Sequence, residues 1–341
     1  MGFFSFQQDL AIDLGTANTR IYYKNRIVVN EPSIIALNTM TGKMIATGDK
    51  ARQMYGKAPE DIKIIRPLRN GVIADFDAAQ QMIKGMIKMI NKYSFLFTHS
   101  LRMVVSIPSG CTEVERRAVR DLLEHVGGRI VYMIYEPMAA AIGIDIDVEA
   151  PEGSMIVYIG DGITEIAVIA LGGIVCNQSL RIAGDNFTSD IQTYIRDRYN
   201  IKIGEKSAEA IKIGIGSALP ELENPPPQIN IRGPDILSAK LIEIPISYQE
   251  MAYCLDKSIS KIETMILSVM EQTPPELYAD IVKRGIHLAG GSSMIRGLDK
   301  RFTDKVDIPF HVAEDPLLTV VRGTGIALKN INKFSLLHSD K

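Results

Sequence analysis

Short apolar runs separated by polar turns open the chain and predict a series of β-strands. In the first half these runs occupy residues 10–14, 20–23, 26–29, 33–37, 102–107 and 129–134. A polar, glycine-punctuated stretch at 38–66 is typical of a small inserted subdomain. Apolar residues at helical spacing predict a helix over 78–93. A capping box, Thr112 with Glu115, predicts the start of a second helix.

The same order of elements begins again at residue 154, with a strand, a glycine turn, a second strand and a hairpin. Two helices are expected between residues 185 and 219, followed by a β-hairpin. A second capping box, Ser247 with Glu250, begins a long helix that we expect to end before Thr273. A strand, a Gly-Gly turn and a helix complete this half. The recurrence predicts an α/β fold with helices on the sheet faces, built twice.

Composition and charge narrow the class of protein. A chain of 341 residues, 46% apolar and 23% charged, fits two globular domains. A formal net charge of −2 gives no indication of nucleic-acid binding. The cysteines share no metal-ligand spacing, which is typical of reduced thiols. Because we find neither a secretory signal nor an apolar run long enough to span a bilayer, we expect an intracellular protein.

Glycine-rich turns follow three of the apolar runs. The first turn is residues 13–19 (DLGTANT), the second is 158–164 (YIGDGIT) and the third is 289–293 (AGGSS). Glycine allows backbone N–H groups to approach a bound anion, so each turn is a candidate phosphate site. A single turn of this kind is weak support for a phosphate site. The three turns together predict a duplicated fold that binds a nucleotide between its halves.

Several stretches together carry a family resemblance over almost the whole chain. Besides the first turn they are 136–143 (EPMAAAIG), 182–185 (IAGD), 274–277 (PPEL), 285–286 (GI) and 297–299 (GLD). The chain resembles the MreB family, the bacterial actins within the actin, sugar kinase and heat-shock ATPase superfamily. The resemblance implies two α/β lobes around a central ATP cleft, each with a small subdomain. The lobes would be 1–150, with a subdomain at 32–74, and 151–341, with a subdomain at 184–245.

The motifs acquire roles from this resemblance and from their chemistry. Asp13 would hold Mg²⁺ through water, or would merely cap its turn. Glu136 would position the water that attacks ATP, although a glutamate also stabilises a helix amino end. Glu209 and Lys212 would contact ribose and base, although such a pair is often a solvated ion pair. The other implied nucleotide contacts are Gly15, Thr16, Ala17, Asn18, Gly160, Asp161, Gly162, Gly184, Asp185, Gly290, Gly291 and Ser292, the last three with a helix amino end behind them.

The second turn departs from the family pattern at three positions. Tyr158 stands where relatives have a metal-side aspartate, Asp161 replaces a glycine and Ile163 replaces a threonine. A tyrosine brings no charge to Mg²⁺ at neutral pH, and isoleucine cannot hydrogen-bond a water. Tyr135, ahead of Glu136, also departs from a frequent glutamate. We expect ATP to bind but its hydrolysis to be slow or lost; alternatively, Asp161 replaces the missing metal contact and turnover continues.

Clustered aromatic residues predict contact with a membrane surface. Phe3, Phe4 and Phe6 crowd the amino-terminal tail, and Phe95, Leu96 and Phe97 follow a helix with lysines at every fourth position. MreB relatives press an apolar tail or loop into the inner membrane, and several phenylalanines on one polymer make a usable anchor. The alternative is that Phe95 and Phe97 belong to the core.

The resemblance favours an ATP-bound filament at the inner face of the cytoplasmic membrane. Such a filament would guide cell-wall synthesis, maintain rod shape and engage cell-elongation and wall-synthesis proteins, without nucleic acid. Two alternatives stay open. A non-hydrolysing accessory paralogue that assembles with another MreB would suit the altered second turn. A small-molecule kinase of the same superfamily would need an acceptor pocket and insertions that this chain lacks.

Overall fold

The computed structural model describes residues 8–90 and 101–331. The chain divides into two compact units. The first contains the chain up to Pro151, residues 169–174 and the segment from Leu317; the second contains Glu152–Val168 and Val175–Pro316. The carboxy-terminal helix therefore belongs to the first unit. The lobe and subdomain ranges expected from the resemblance stay predictions.

The strands are short, and most alternate with helices or tight turns. They are β1 Gln8–Leu14, β2 Asn18–Tyr23, β3 Arg26–Pro32, β4 Ile35–Asn38, β5 Met44–Thr47, β6 Ile62–Ile65, β7 Leu68–Arg69, β8 Val72–Ile73, β9 Leu101–Ile107, β10 Gly128–Tyr135, β11 Ser154–Ile159, β12 Thr164–Ala170, β13 Gly173–Leu180, β14 Ile229–Pro234, β15 Leu241–Ile246, β16 Ile286–Ala289 and β17 Phe310–Val312.

The α-helices of the described residues are α1 Asp49–Met54, α2 Phe76–Ile90, α3 Glu113–His125, α4 Glu136–Gly143, α5 Gly184–Tyr199, α6 Glu205–Ile215, α7 Tyr248–Gln272, α8 Pro275–Arg284, α9 Leu298–Val306 and α10 Thr319–Lys329. Short 3₁₀ helices occupy Gly291–Met294 and Pro316–Leu318.

The two main sheets share one strand arrangement, which confirms the predicted duplication. The first has the order β10-β9-β1-β2-β3 and the second the order β13-β12-β11-β16-β17. In each, the first strand of the repeat is central, the next two strands lie to one side and later strands lie to the other. The later strands pair in parallel. In the first sheet β1 pairs with β9 and β9 with β10, and in the second sheet β11 pairs with β16 and β16 with β17. The fold is therefore α/β and duplicated.

The two faces of β1 have different neighbours. Leu10, Ile12 and Leu14 pack in an apolar cluster with α2 and α3. Because side chains alternate along a strand, Asp13 faces the opposite side of the sheet. Tyr22 of β2 contacts α10 on that side, where a Cβ added to Gly325 would lie 2.8 Å from its ring. Asp13 is thus separated from the main apolar core.

Most local predictions are confirmed, with small shifts at element ends. Both capping boxes form, at Thr112 with Glu115 and at Ser247 with Glu250. The helix expected over 78–93 begins earlier, at Phe76. The helix expected directly behind the third turn is only the 3₁₀ segment Gly291–Met294, and α9 begins at Leu298. The turn therefore has no long helix at its back.

Candidate functional site

The first turn joins β1 to β2 and is fixed by a serine that the sequence pattern did not single out. Ser33 donates its hydroxyl to the carbonyl of Gly15 at 2.6 Å and its backbone N–H to the carbonyl of Ala17 at 2.9 Å. A Cβ on Gly15 would lie 2.7 Å from the carbonyl oxygen of Asn18, so this position requires glycine. The turn is therefore set in place by the chain itself.

The Thr16 hydroxyl is a hydrogen-bond acceptor for another part of the chain. It accepts a hydrogen bond from the backbone N–H of Gly71 at 2.9 Å, and the side chain is 7% exposed. Thr16 is therefore a residue that positions the turn. The hydroxyl still has its own hydrogen to donate, so its predicted phosphate contact stays a prediction, as do those of the backbone N–H groups.

Asp13 is almost completely buried at the end of β1, with 1% of its surface exposed. Arg20 Nη1 lies 3.1 Å from one carboxylate oxygen, and the Ser106 hydroxyl lies 3.5 Å from the other. Asp13 and Arg20 are direct cross-strand partners in the β1–β2 pairing. Burial raises the pKa of Asp13 above its ordinary value, while Arg20 and Ser106 both oppose that rise. Neither partner was predicted from the sequence.

Glu136 lies on the same sheet edge as Asp13. It is the first residue of α4, directly after β10, and is 4% exposed. Because β1, β9 and β10 run in parallel, their carboxyl ends meet at one edge, where ligands bind in open α/β sheets. Pro137 is the second residue of this helix. Two buried carboxyl groups thus share this edge of the first unit.

In the second unit, the structure brings together residues from three predicted segments. The second turn closes through a hydrogen bond from Gly160 N–H to the Ile163 carbonyl at 2.9 Å. Gly184 and Asp185, at the start of α5, donate their N–H groups to the carbonyls of Gly160 and Asp161 at 3.2 and 2.7 Å. Ser292 of the third turn donates its hydroxyl to the Gly160 carbonyl at 2.7 Å. The three segments therefore form one hydrogen-bonded group.

Gly184 is a closely confined position in this group. A Cβ added there would lie 2.7 Å from Ser292 Oγ, 3.0 Å from an Asp161 carboxylate oxygen and 3.1 Å from Lys212 Nζ. Only glycine leaves that space open. We call Gly160, Gly184, Lys212 and Ser292 the second-unit cradle.

Lys212 is buried and is held by three oxygen atoms. Its ammonium group lies 2.6 Å from Glu209 Oε2 and donates to the Gly184 carbonyl at 2.9 Å and to Thr188 Oγ1 at 3.0 Å. The Thr188 hydroxyl also lies 2.6 Å from Glu209. The Lys212 side chain is only 8% exposed, so the two residues do not form the solvated ion pair considered from the sequence. The Glu209 side chain is 41% exposed. Thr188 was not expected, although it lies one helical turn after Gly184.

The departures in the second turn change what it can do chemically. Ile163 is buried at 7% exposure, so an apolar side chain occupies the position where a hydroxyl was expected. The ring of Tyr158 lies against Gly160, since a Cβ there would be 3.3 Å from the ring. Gly162 is buried and Asp161 is half-buried. The turn thus presents Tyr158 and Ile163 where the resemblance implied an aspartate and a threonine.

The third turn packs against the end of β11. Gly290 has a φ of +85°, and a Cβ there would lie 2.3 Å from the Ile159 carbonyl oxygen, so a side chain is doubly disfavoured. Its N–H donates to the Pro316 carbonyl at 3.0 Å. Gly291 begins the 3₁₀ segment and Ser292 reaches the second turn. The third turn is thus part of the second-unit cradle, through Ser292.

The residues around Asp13 fit an arginine better than a divalent cation. Both carboxylate oxygens already have partners on the chain, and one partner carries a positive charge. Within residues 8–90 and 101–331, no group of three or more His, Cys, Asp or Glu side chains could hold a metal ion. Mg²⁺ usually keeps several waters and binds through one or two carboxylates plus substrate phosphates, so what disfavours it here is the pairing of Asp13 with Arg20.

The predicted membrane contacts, Phe3, Phe4, Phe6, Phe95, Leu96 and Phe97, lie outside the described residues. In the part of the chain that the structure describes, no helix is long and apolar enough to cross a bilayer.

Comparison with known proteins agrees with this geometry. The model of the MreB/Mbl protein family matches residues 7–336. The chain belongs to the MreB/Mbl family. It is 41% identical to the cell shape-determining protein Mbl of Bacillus subtilis (strain 168), covering 96% of this chain and 98% of that protein. It is 43% identical to the cell shape-determining protein MreB of Escherichia coli (strain K12), covering 96% and 95%.

A solved structure supports the same fold. MreB5 of Spiroplasma citri bound to AMPPNP is 38% identical, covers 96% of this chain and 98% of its own, and superposes with a TM-score of 0.90. As a member of the MreB/Mbl family, the chain is an actin-like protein of the cell shape-determining cytoskeletal class.

Proposed function

We propose that this MreB/Mbl protein binds ATP and assembles with copies of itself into filaments at the inner face of the cytoplasmic membrane. The filaments organise cell-wall synthesis and maintain rod shape, in contact with cell-elongation and wall-synthesis proteins. The observation that carries the proposal is the second-unit cradle, in which the Gly184 backbone lies close to Ser292, Lys212 and the Asp161 carboxylate and is hydrogen-bonded to the second turn. The MreB5 relative at 38% identity was solved with an ATP analogue.

The chemistry of the cradle suits a nucleotide. Lys212 supplies a buried positive charge, and the partly exposed Glu209 carboxylate can accept hydrogen bonds from ribose hydroxyls. In the first unit, the turn at Gly15 presents backbone N–H groups, which favour phosphate oxygens. The predicted Mg²⁺ is not part of this proposal, because the residues around Asp13 do not fit it.

Assembly can be tested directly with the full chain. We expect ATP to produce filaments that are visible by negative-stain electron microscopy and that sediment in a pelleting assay. Samples without nucleotide should form no filaments and should stay in the supernatant. Adding anionic phospholipid vesicles should draw the filaments into the vesicle fraction. A chain lacking residues 1–6 and carrying Phe95→Ser is expected to assemble but not to bind vesicles. Absence of polymer at every nucleotide concentration would contradict the filament proposal, and undiminished vesicle binding by the variant would contradict the membrane contact.

We further propose that hydrolysis is slow or absent in this chain. Glu136 persists, but Tyr158 and Ile163 bring neither the charge nor the hydroxyl expected at the second turn. Loss of one positioned hydrogen-bonding group lowers turnover by about 10²- to 10³-fold in well-studied enzymes. The double change Tyr158→Asp with Ile163→Thr should therefore speed single-turnover phosphate release at least about tenfold.

The matched control is Tyr253→Asp with Ile236→Thr, which makes the same chemical changes at side chains 80% and 51% exposed. It should leave the rate of phosphate release unchanged. A wild-type rate equal to that of Bacillus subtilis Mbl measured alongside it would show that Asp161 compensates, and the hydrolysis proposal would be abandoned.

The altered second turn also supports a second candidate, an accessory protein that holds nucleotide and assembles only with another MreB. The microscopy above separates the two candidates. Filaments of the purified chain alone support the first, whereas polymer formed only after another MreB is added supports the second.

A further inference from the structure

Arg20 is held permanently beside Asp13 by the pairing of two strands. The two residues are directly opposite each other in the β1–β2 ladder, with Arg20 Nη1 3.1 Å from Asp13 Oδ2. Their side chains are 10% and 2% exposed. Such burial limits screening by solvent and strengthens the attraction between the two charges, while desolvation of both groups opposes it. Arginine also stays protonated at any physiological pH.

This pairing removes the electrostatic reason for a divalent cation at the first turn. A carboxylate close to bound phosphate groups is repulsive unless a cation neutralises it. Asp13 already has a fixed cation from its own chain. The Asp13 carboxylate is therefore already neutralised within the first unit without a metal.

Arg20 also carries a polar group without a partner. Its Nε is buried and makes no hydrogen bond within the described part of the chain. Buried N–H groups are rarely left unsatisfied, and an unsatisfied one costs free energy. The orphaned donor marks a place beside the first turn where an acceptor from outside the chain, such as a phosphate oxygen, is needed.

We propose that Arg20 neutralises Asp13 at the first turn in place of a divalent cation, so that nucleotide binding by this chain is nearly independent of Mg²⁺. This inference rests on the proposed binding of ATP. Arg20 acts as a positioning and charge-balancing residue, and the proposal concerns binding affinity rather than hydrolysis.

The test is titration with a fluorescent ATP analogue in Mg²⁺ buffer and in EDTA, using the full chain. For the wild type, the Kd should differ by less than about threefold between the two buffers. Arg20→Leu should bind at least about tenfold more weakly in EDTA than in Mg²⁺, because Mg²⁺ must then neutralise the free carboxylate. Arg20→Lys keeps the charge and should restore most of the metal independence.

Arg102→Leu is the matched control. It breaks another arginine–aspartate pair of the same sheet, the one between Arg102 and Asp9, at 2.5 Å. Asp9 lies four residues from Asp13, about 13 Å along β1. For this control, the Kd in EDTA and the Kd in Mg²⁺ should differ as little as they do for the wild type.

A wild-type Kd that rises tenfold or more in EDTA would overturn the inference while leaving ATP binding intact, and it requires no variant to fold. The inference would also be overturned if the Kd of Arg20→Leu changed between the two buffers by the same factor as the wild-type Kd. Failure of the folded wild type to bind the analogue in either buffer would instead reject the proposed function together with this inference.

Discussion

Replacing Gly323 with alanine is expected to destabilise the first unit by about 3 kcal/mol or more. Helices α4 and α10 cross so closely that a Cβ on Gly323 would lie 1.7 Å from the Ala139 carbonyl oxygen. On α4, a Cβ added to Gly143 would lie 1.9 Å from the carbonyl oxygen of Thr319 in α10. These neighbours are backbone atoms, which cannot rotate away as a side chain can. The helices would have to separate.

Gly214 provides the matched control for this change. It also lies inside a helix, α6, but it is exposed and a Cβ there would meet nothing within 4 Å. Gly214→Ala should therefore stabilise the chain by about 0.4–1 kcal/mol, because alanine reduces the freedom of the unfolded chain. Urea unfolding followed by circular dichroism measures both variants. Equal unfolding midpoints for Gly323→Ala and the wild type would refute the close crossing.

The second large effect is expected for Lys212→Met, which should weaken ATP binding by about 10- to 100-fold. The change removes the ammonium group that joins Glu209, Thr188 and the Gly184 carbonyl. The Gly184 carbonyl would lose a buried charged donor, and Glu209 would lose the cation that orients it. Both ends of the second-unit cradle would then be free to move.

Lys206→Met on the same helix makes the same substitution at an exposed position and should leave the Kd for ATP unchanged. Titration with the fluorescent ATP analogue measures both variants, and urea unfolding confirms that each is folded. If the two variants bound ATP equally well, Lys212 would have no role in the nucleotide site.

The sequence allowed the strands, the capping boxes and the duplicated order of elements to be predicted, because each depends on neighbouring residues. A capping box requires only Thr112 and Glu115, three positions apart, and both bonds form. The glycine turns were equally local. The hydrogen bonds from Ser292 and Gly184 to the second turn join three of the predicted segments within the second unit, which the local patterns alone did not predict.

What the sequence could not reveal depends on register and on contacts between distant residues. The pairing of Arg20 with Asp13 requires the exact alignment of β1 with β2, which the alternation of apolar residues does not determine. Ser33 fixes the first turn from the end of another strand. The crossing at Gly143 and Gly323 joins helices far apart in the chain. The ligand contacts of the site residues stay predictions.

Equilibrium dialysis of the purified, folded chain against labelled ATP is the most direct measurement of the central claim, that this protein binds ATP. We expect saturable, stoichiometric binding that unlabelled ADP displaces. Equal concentrations of label on both sides of the membrane, across the full range of ATP tested, would contradict it.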